Sequence, residues 1–154
     1  MFSNIKKTAP LYILAVFFIS IDRFLKLYFL NTGGEYTVID KILKLRFVKN
    51  TYIAFSIPIS PIFVKYLSLI ITLFLIYLFI KFIHSSKKRG LVPLFLIILG
   101  SSSNILDRFS YGFVIDYIDL SKFAIFNIAD SMIFLGVSAL IYIQVCHKED
   151  KIFS

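Results

Sequence analysis

The sequence predicts a membrane all-α protein, a four-transmembrane-helix bundle with a small extramembrane β-sheet. Three observations predict it. Of the 154 residues 58% are hydrophobic and the mean hydropathy is +0.85, against roughly 45–50% apolar residues in soluble domains. The apolar residues gather in four long runs, which at ~20 residues per span use up nearly the whole chain. Between the first two runs, short stretches instead alternate apolar with polar or charged residues. The expectation is one domain over residues 1–154, with no separate soluble unit.

The first span covers residues 10–30. Lys6 and Lys7 precede it as in a signal peptide, but the run exceeds an h-region of about 7–15 residues and no small-x-small site follows. It therefore reads as a retained helix, stopped by Asn31-Thr32-Gly33-Gly34. Residues 31–60 change character. Tyr36-Thr37-Val38-Ile39 and Leu43-Lys44-Leu45-Arg46-Phe47-Val48 show the period-two signature of half-buried strands.

The second span covers residues 61–83 and opens on Pro61, a good first-turn residue. A short basic loop leads to the third span, residues 91–108, which turns polar at Asn104, Asp107 and Arg108. Gly112, Asp116 and Asp119 follow in a linking segment. The fourth span covers residues 127–146.

Basic residues set the orientation. Lys6, Lys7, Lys87, Lys88, Arg89, Lys148 and Lys151 lie in the N-terminal tail, the second loop and the C-terminal tail. Four spans put all three on one side, so both termini are expected in the cytoplasm. The first loop also carries Lys41, Lys44, Arg46 and Lys49, at lower density over a longer segment. The net charge of +8 flanks apolar runs instead of forming one basic face, which favours anionic lipid over nucleic acid as its partner. Cys146 is the only cysteine, and His84 and His147 lie just outside apolar runs, so no metal cluster and no cofactor are expected.

Ionisable residues within an apolar span are costly and need a reason. Asp22 and Lys26 sit at i and i+4 of the first span, acid first, beside Arg23. One reading is a structural ion pair that holds this helix against its neighbours. A second has the pair grip the extramembrane loop beside an active site, and direct catalysis by Asp22 is a lesser third. In Gly100-Ser101-Ser102-Ser103-Asn104, small residues allow close helix packing, whereas the Asn104 amide needs partners that a substrate backbone can supply.

Two carboxylates, Asp116 and Asp130, have no basic neighbour adjacent in sequence. Asp116 reads either as a solvated linker acid, like Asp119, or as a chemical group. Asp130 stands three residues after Asn127, a good N-cap, so capping and catalysis weigh equally on spacing alone. Two carboxylates sharing one site keep a single proton near neutral pH, because like charges held close do not both ionise. Such a pair, with water, suffices for peptide hydrolysis.

Asn104-x-x-Asp107-Arg108, Gly112-x-Val114-x-Asp116 and Phe126-Asn127-x-Ala129-Asp130-Ser131 resemble the C-terminal half of the bacterial lipoprotein signal peptidases, the signal peptidase II family. Asp22-x-x-x-Lys26 and Asn50-Thr51-Tyr52-Ile53-Ala54-Phe55-Ser56 fit as well. The chain differs from the family's usual pattern at Tyr52, where glycine is common, and in the serine before Asn104. The resemblance implies an aspartic endopeptidase of the bacterial cytoplasmic membrane. It would remove the signal peptide from prolipoproteins by cutting just before a cysteine that carries diacylglycerol. It further implies Asp116 and Asp130 as the catalytic pair, with Asn104 and Arg108 lining the substrate cleft and Asn127 supporting it. Asp107 and Gly112 would be supporting. Asn50, Ala54 and Phe55 would belong to a cradle over the site, and inhibition by globomycin-type cyclic peptides is implied too.

Two other functions compete. A small transporter or proton relay would use intramembrane carboxylates, but needs polar residues from one face of the bundle to the other. The second span is nearly all apolar apart from Lys65. A non-enzymatic scaffold would use Asp116 and Asp130 as caps alone.

Overall fold

The computed structural model describes residues 2–51, 60–84, 89–121 and 123–146, the first six of these (2–7) without their side chains. Helix α1 (Phe2–Thr32) leads into strands β1 (Glu35–Ile39) and β2 (Leu43–Asn50). Helices α2 (Pro61–Ile83) and α3 (Leu91–Ser110) follow, then β3 (Val114–Leu120), β4 (Ala124–Phe126) and α4 (Ile128–Cys146).

Among the described residues three helices, α2, α3 and α4, are long and apolar enough to cross a bilayer. Helix α1 is longer, 31 residues, but Asp22, Arg23 and Lys26 interrupt its apolar stretch. It begins at Phe2, not residue 10, and passes through Pro10. An apolar run marks what suits lipid, while helical hydrogen bonding continues into polar surroundings, so the helix overshoots the run. The third helix likewise runs past residue 108 to Ser110, and the fourth begins at Ile128, with Asn127 just ahead of it.

Large apolar side chains cover the outer faces of these helices, as on Ile62, Ile70, Phe74, Phe134 and Val145. In water such a surface is unfavourable; against lipid tails it is matched. Between α3 and α4 the packing is close. A Cβ on Gly100 would come within 2.5 Å of the Ala129 carbonyl oxygen, and one on Gly136 within 2.7 Å of the Pro93 carbonyl oxygen. The expected role of Gly100 in helix packing is thus observed.

The sheet is antiparallel, in the order β1-β2-β3-β4. Strands β1 and β2 lie where the apolar and polar alternation placed them, but β1 is exposed along its whole length and not half-buried, because it is the edge strand of the sheet. Strands β3 and β4 fall in what the sequence suggested was a plain linking segment. The cause is burial on both sides: Val114, Ile115, Asp116 and Tyr117 are all buried, so β3 has no alternating polar face to betray it. Gly33 (φ 59°) ends α1, its N–H reaching the Phe29 carbonyl at 3.0 Å. Gly112 (φ 82°) turns the chain from α3 into β3, a conformation that favours glycine.

Candidate active site

The first turn of α4 organises the site. A helix begins with backbone N–H groups that lack partners within it, and here the first two are met by other elements and the third by the capping residue. The Ile128 N–H donates to the Tyr117 hydroxyl of β3 at 3.2 Å, and the Ala129 N–H to Asp22 Oδ1 of α1 at 3.1 Å. The Asp130 N–H donates to Asn127 Oδ1 at 2.8 Å, while Asp130 Oδ2 accepts the Asn127 N–H at 3.3 Å. That reciprocal pattern is a capping box with aspartate in the third position. The capping geometry anticipated for Asp130 is therefore present, and it uses only one carboxylate oxygen. The other, Oδ1, accepts from Asn104 Nδ2 at 2.7 Å.

Asp116 sits in β3, 1% exposed, and is no solvated linker acid. Its Oδ1 accepts from Asn127 Nδ2 at 2.7 Å and its Oδ2 from Asn50 Nδ2 at 2.8 Å. Asn127 thus touches both aspartates. Burial, and after it the charge of Asp130, push the Asp116 carboxyl up to about 7, against the opposing hydrogen bonds from Asn50 and Asn127 and the charge of Lys26. A carboxyl so placed exchanges its proton near neutral pH.

A charge cluster lies behind the pair. Lys26 Nζ is 3.2 Å from Asp22 Oδ2 and 2.9 Å from Asp107 Oδ2, and Arg23 Nη1 is 2.6 Å from Asp107 Oδ1. Two cations face two carboxylates, so the cluster is formally neutral, and Asp22, Lys26 and Asp107 are all fully buried. Lys26 also donates to Asn104 Oδ1 at 2.8 Å, which fixes the Asn104 amide with its nitrogen toward Asp130. The ion-pair reading of Asp22 and Lys26 matches these contacts across α1 and α3. A grip on the sheet exists too, on β3 and not, among the described residues, on the segment between α1 and α2: the Tyr117 hydroxyl donates to Asp22 Oδ1 at 3.0 Å. Burial and the adjacent Asp22 charge raise the Tyr117 hydroxyl's pKa, which keeps it a proton donor.

Asp107 holds the entry to β3, since its Oδ2 also accepts the Ile115 N–H at 3.2 Å. Asn104 finds its partners inside the protein, in Lys26, Asp130 and Asn127. Arg108 is half-buried on α3 within the field of Asp130, Asp116 and Asp107. Asp119, expected to be solvated, is instead 7% exposed and paired with Arg46 at 2.7 Å. Ala54 and Phe55, with Tyr52, lie outside the described residues.

Sequence reasoning assigned no role to Tyr117 and none beyond packing to Ser103. Ser103 Oγ donates to Asp22 Oδ2 at 2.7 Å and accepts from Lys26 and Arg23. Its place one residue before Asn104, in a run facing a buried charge, was the available signal. Tyr117 also stacks on Phe29 at 5.7 Å between ring centroids.

The family model described as signal peptidase (SPase) II matches residues 14–146. A lipoprotein signal peptidase of Halothermothrix orenii is 30% identical over 135 residues, covering 84% of this chain and 91% of the relative. One from Buchnera aphidicola subsp. Schizaphis graminum is 38% identical over 143 residues, covering 85% and 91%. A bacterial membrane enzyme structure obtained by the in meso method at 1.9 Å superposes with a TM-score of 0.72 at 28% identity, covering 89% of this chain and 93% of that one.

Proposed function

The chain belongs to the signal peptidase II family, and from that premise we propose that it removes signal peptides from diacylglyceryl-modified prolipoproteins with Asp116 and Asp130 as an aspartic catalytic pair. The carrying observation is Asn127, whose one side chain hydrogen-bonds the Asp116 carboxylate and the backbone of Asp130. It tethers two acids from different elements on one amide.

The chemistry needs only water besides the pair. The ionised carboxylate takes a proton from water as the water oxygen bonds to the scissile carbonyl carbon. The protonated carboxyl gives its proton to the carbonyl oxygen. As the tetrahedral intermediate collapses, the C–N bond breaks and the departing nitrogen takes the proton that the first carboxylate had gained. The second carboxylate recovers its own from the collapsing hydroxyl, and the pair ends as it began. Asn104 and Asn127 orient the carboxylates, and Arg108 and Asn50 line the cleft for the substrate backbone. Asp22, Lys26, Asp107 and Gly112 support this frame.

In the same reading α1 is the fourth transmembrane helix. The sheet is extracytoplasmic, both termini are cytoplasmic, and the membrane is the bacterial inner one. A lipid-modified precursor stays in the bilayer, because extracting it costs about 0.8 kcal/mol per buried methylene. A site at the bundle's end meets it there. The transporter reading is disfavoured by the polar network, which gathers at one end while α2 stays apolar.

The test is cleavage of diacylglyceryl-prolipoprotein by purified protein in lipid nanodiscs. Asp116→Asn and Asp130→Asn should each lower turnover by about 10²–10⁴-fold or more with insertion intact, because asparagine keeps the side chain's size while giving up one accepting oxygen. Retained turnover in both variants removes the catalytic pair. Unlipidated precursor should not be cut, and globomycin-type cyclic peptides should inhibit.

A further inference from the structure

The end of the sheet remote from the catalytic pair has no role in the chemistry above, yet it exposes large apolar side chains. Phe123 is 90% exposed, and Ile42 is 57% exposed. Ile39 and Val38 beside them are also exposed. Ile42 and Phe123 lie in two turns, between β1 and β2 and between β3 and β4, and Val38 and Ile39 end β1 at the first of them. The turns form one tip, because the Ser121 N–H donates to the Ile42 carbonyl at 3.1 Å. Each turn is closed in turn by its own hydrogen bond, Ile42 N–H to the Ile39 carbonyl at 3.1 Å and Phe123 N–H to the Leu120 carbonyl at 2.7 Å. The apolar groups are therefore held outward by a braced backbone.

The position of this tip limits what it can meet. Two residues, Gly33 and Gly34, join α1 to β1, and Asn127 alone joins β4 to α4. Phe123 precedes Asn127 by four residues in the chain, so at ~3.3–3.6 Å per extended residue it lies within about 14 Å of the first turn of α4. The head-group zone of a bilayer adds several ångströms to the hydrocarbon core on each side. The sheet is thus tied closely to helices whose outer faces match lipid, and the apolar phase within reach of its tip is that same lipid. Aromatic residues favour this zone, where one side of the ring is apolar and the surroundings are partly wet.

We propose that the paired turns carrying Ile39, Ile42 and Phe123 insert into the leaflet on the sheet side of the membrane, a second anchor separate from the helices. The tip pins the sheet, and with it β3 and Asp116, at a set height over the bilayer.

The chain contains no tryptophan, so one introduced indole reports alone. Phe123→Trp and, separately, Ile42→Trp are placed in nanodiscs of ordinary phospholipid or of phospholipid brominated on its acyl chains. Thr37→Trp in the middle of β1 serves as the comparison site. Insertion predicts blue-shifted emission for both tip variants and a marked loss of it in brominated lipid, because an interfacial aromatic lies beside the acyl chains, with Thr37→Trp little quenched. An unchanged melting temperature in each tip variant establishes that the fold is intact. Tip emission that is indifferent to bromine overturns the proposal. So does emission that shifts with the protein-to-lipid ratio but not with bromine, which marks contact with a second copy. The readout is optical, so failure of the peptidase reading leaves it standing or falling by itself.

Discussion

Asn127 Nδ2 lies 2.7 Å from Asp116 Oδ1. The same side chain accepts the Asp130 N–H at 2.8 Å, so the residue that starts the last helix also fixes the first carboxylate against the second. Replacing it with alanine removes a helix cap and this tether together. Asn127→Ala should lose about 0.5–2 kcal/mol of stability from the cap. Turnover should fall much further than that destabilisation explains, measurable as kcat at a temperature where the variant is fully folded. Full turnover by a folded Asn127→Ala protein contradicts the tether.

The rate should depend on pH through Asp116. Its pKa of about 7 lies above the roughly 3.9 of an unfolded aspartate, so the folded state binds more protons between those values. Stability from this group is therefore full below the lower value and declines as pH rises through the higher one. Activity that needs one shared proton should fall on the alkaline side near pH 7, with the titration belonging to the pair. Asn50 donates to the ionised form and holds the pKa down. Asn50→Ala should shift the alkaline limb of the pH profile upward, and a downward shift would show that water had replaced the lost amide.

The buried cluster of Asp22, Arg23, Lys26 and Asp107 yields a charge-balance prediction. Lys26→Met leaves two carboxylates facing Arg23 alone, and breaking a buried pair costs about 3–5 kcal/mol. The double variant Lys26→Met with Asp22→Asn restores neutrality, so its melting temperature in detergent should lie above that of Lys26→Met. If the second change only adds to the loss, the cluster is not acting as one balanced unit.

Close packing at Gly100 provides a fourth test. A methyl group there meets the Ala129 carbonyl oxygen at 2.5 Å, one residue before Asp130. Gly100→Ala should cost about 1–3 kcal/mol from overpacking and reduce kcat by displacing the start of α4. Gly33 has open space around its Cβ position, and Gly33→Asn should be mild by comparison, since asparagine tolerates its left-handed backbone.

Helices α2, α3 and α4 were legible because lipid demands an unbroken apolar run, and β1 and β2 because one polar face leaves an alternating pattern. Strand β3 was illegible for the opposite reason: Ile115 and Tyr117 on one face and Asp116 on the other are all buried. The aspartates themselves stood out as acids without sequence-adjacent bases, but their union through Asn127 is a tertiary fact. The Tyr117 hydroxyl bonds an aspartate 95 positions away, and no local spacing announces such a contact. Asp119 misled for the same reason, since its counter-ion Arg46 is 73 positions distant.

The first free N–H groups of α4 are satisfied by Tyr117 and Asp22, residues that precede that helix in the chain. The closing helix therefore takes its seat on side chains that α1 and β3 supply. Loss of either partner would leave an amide of that seat unmet, so the register of the last helix rests on those two earlier elements.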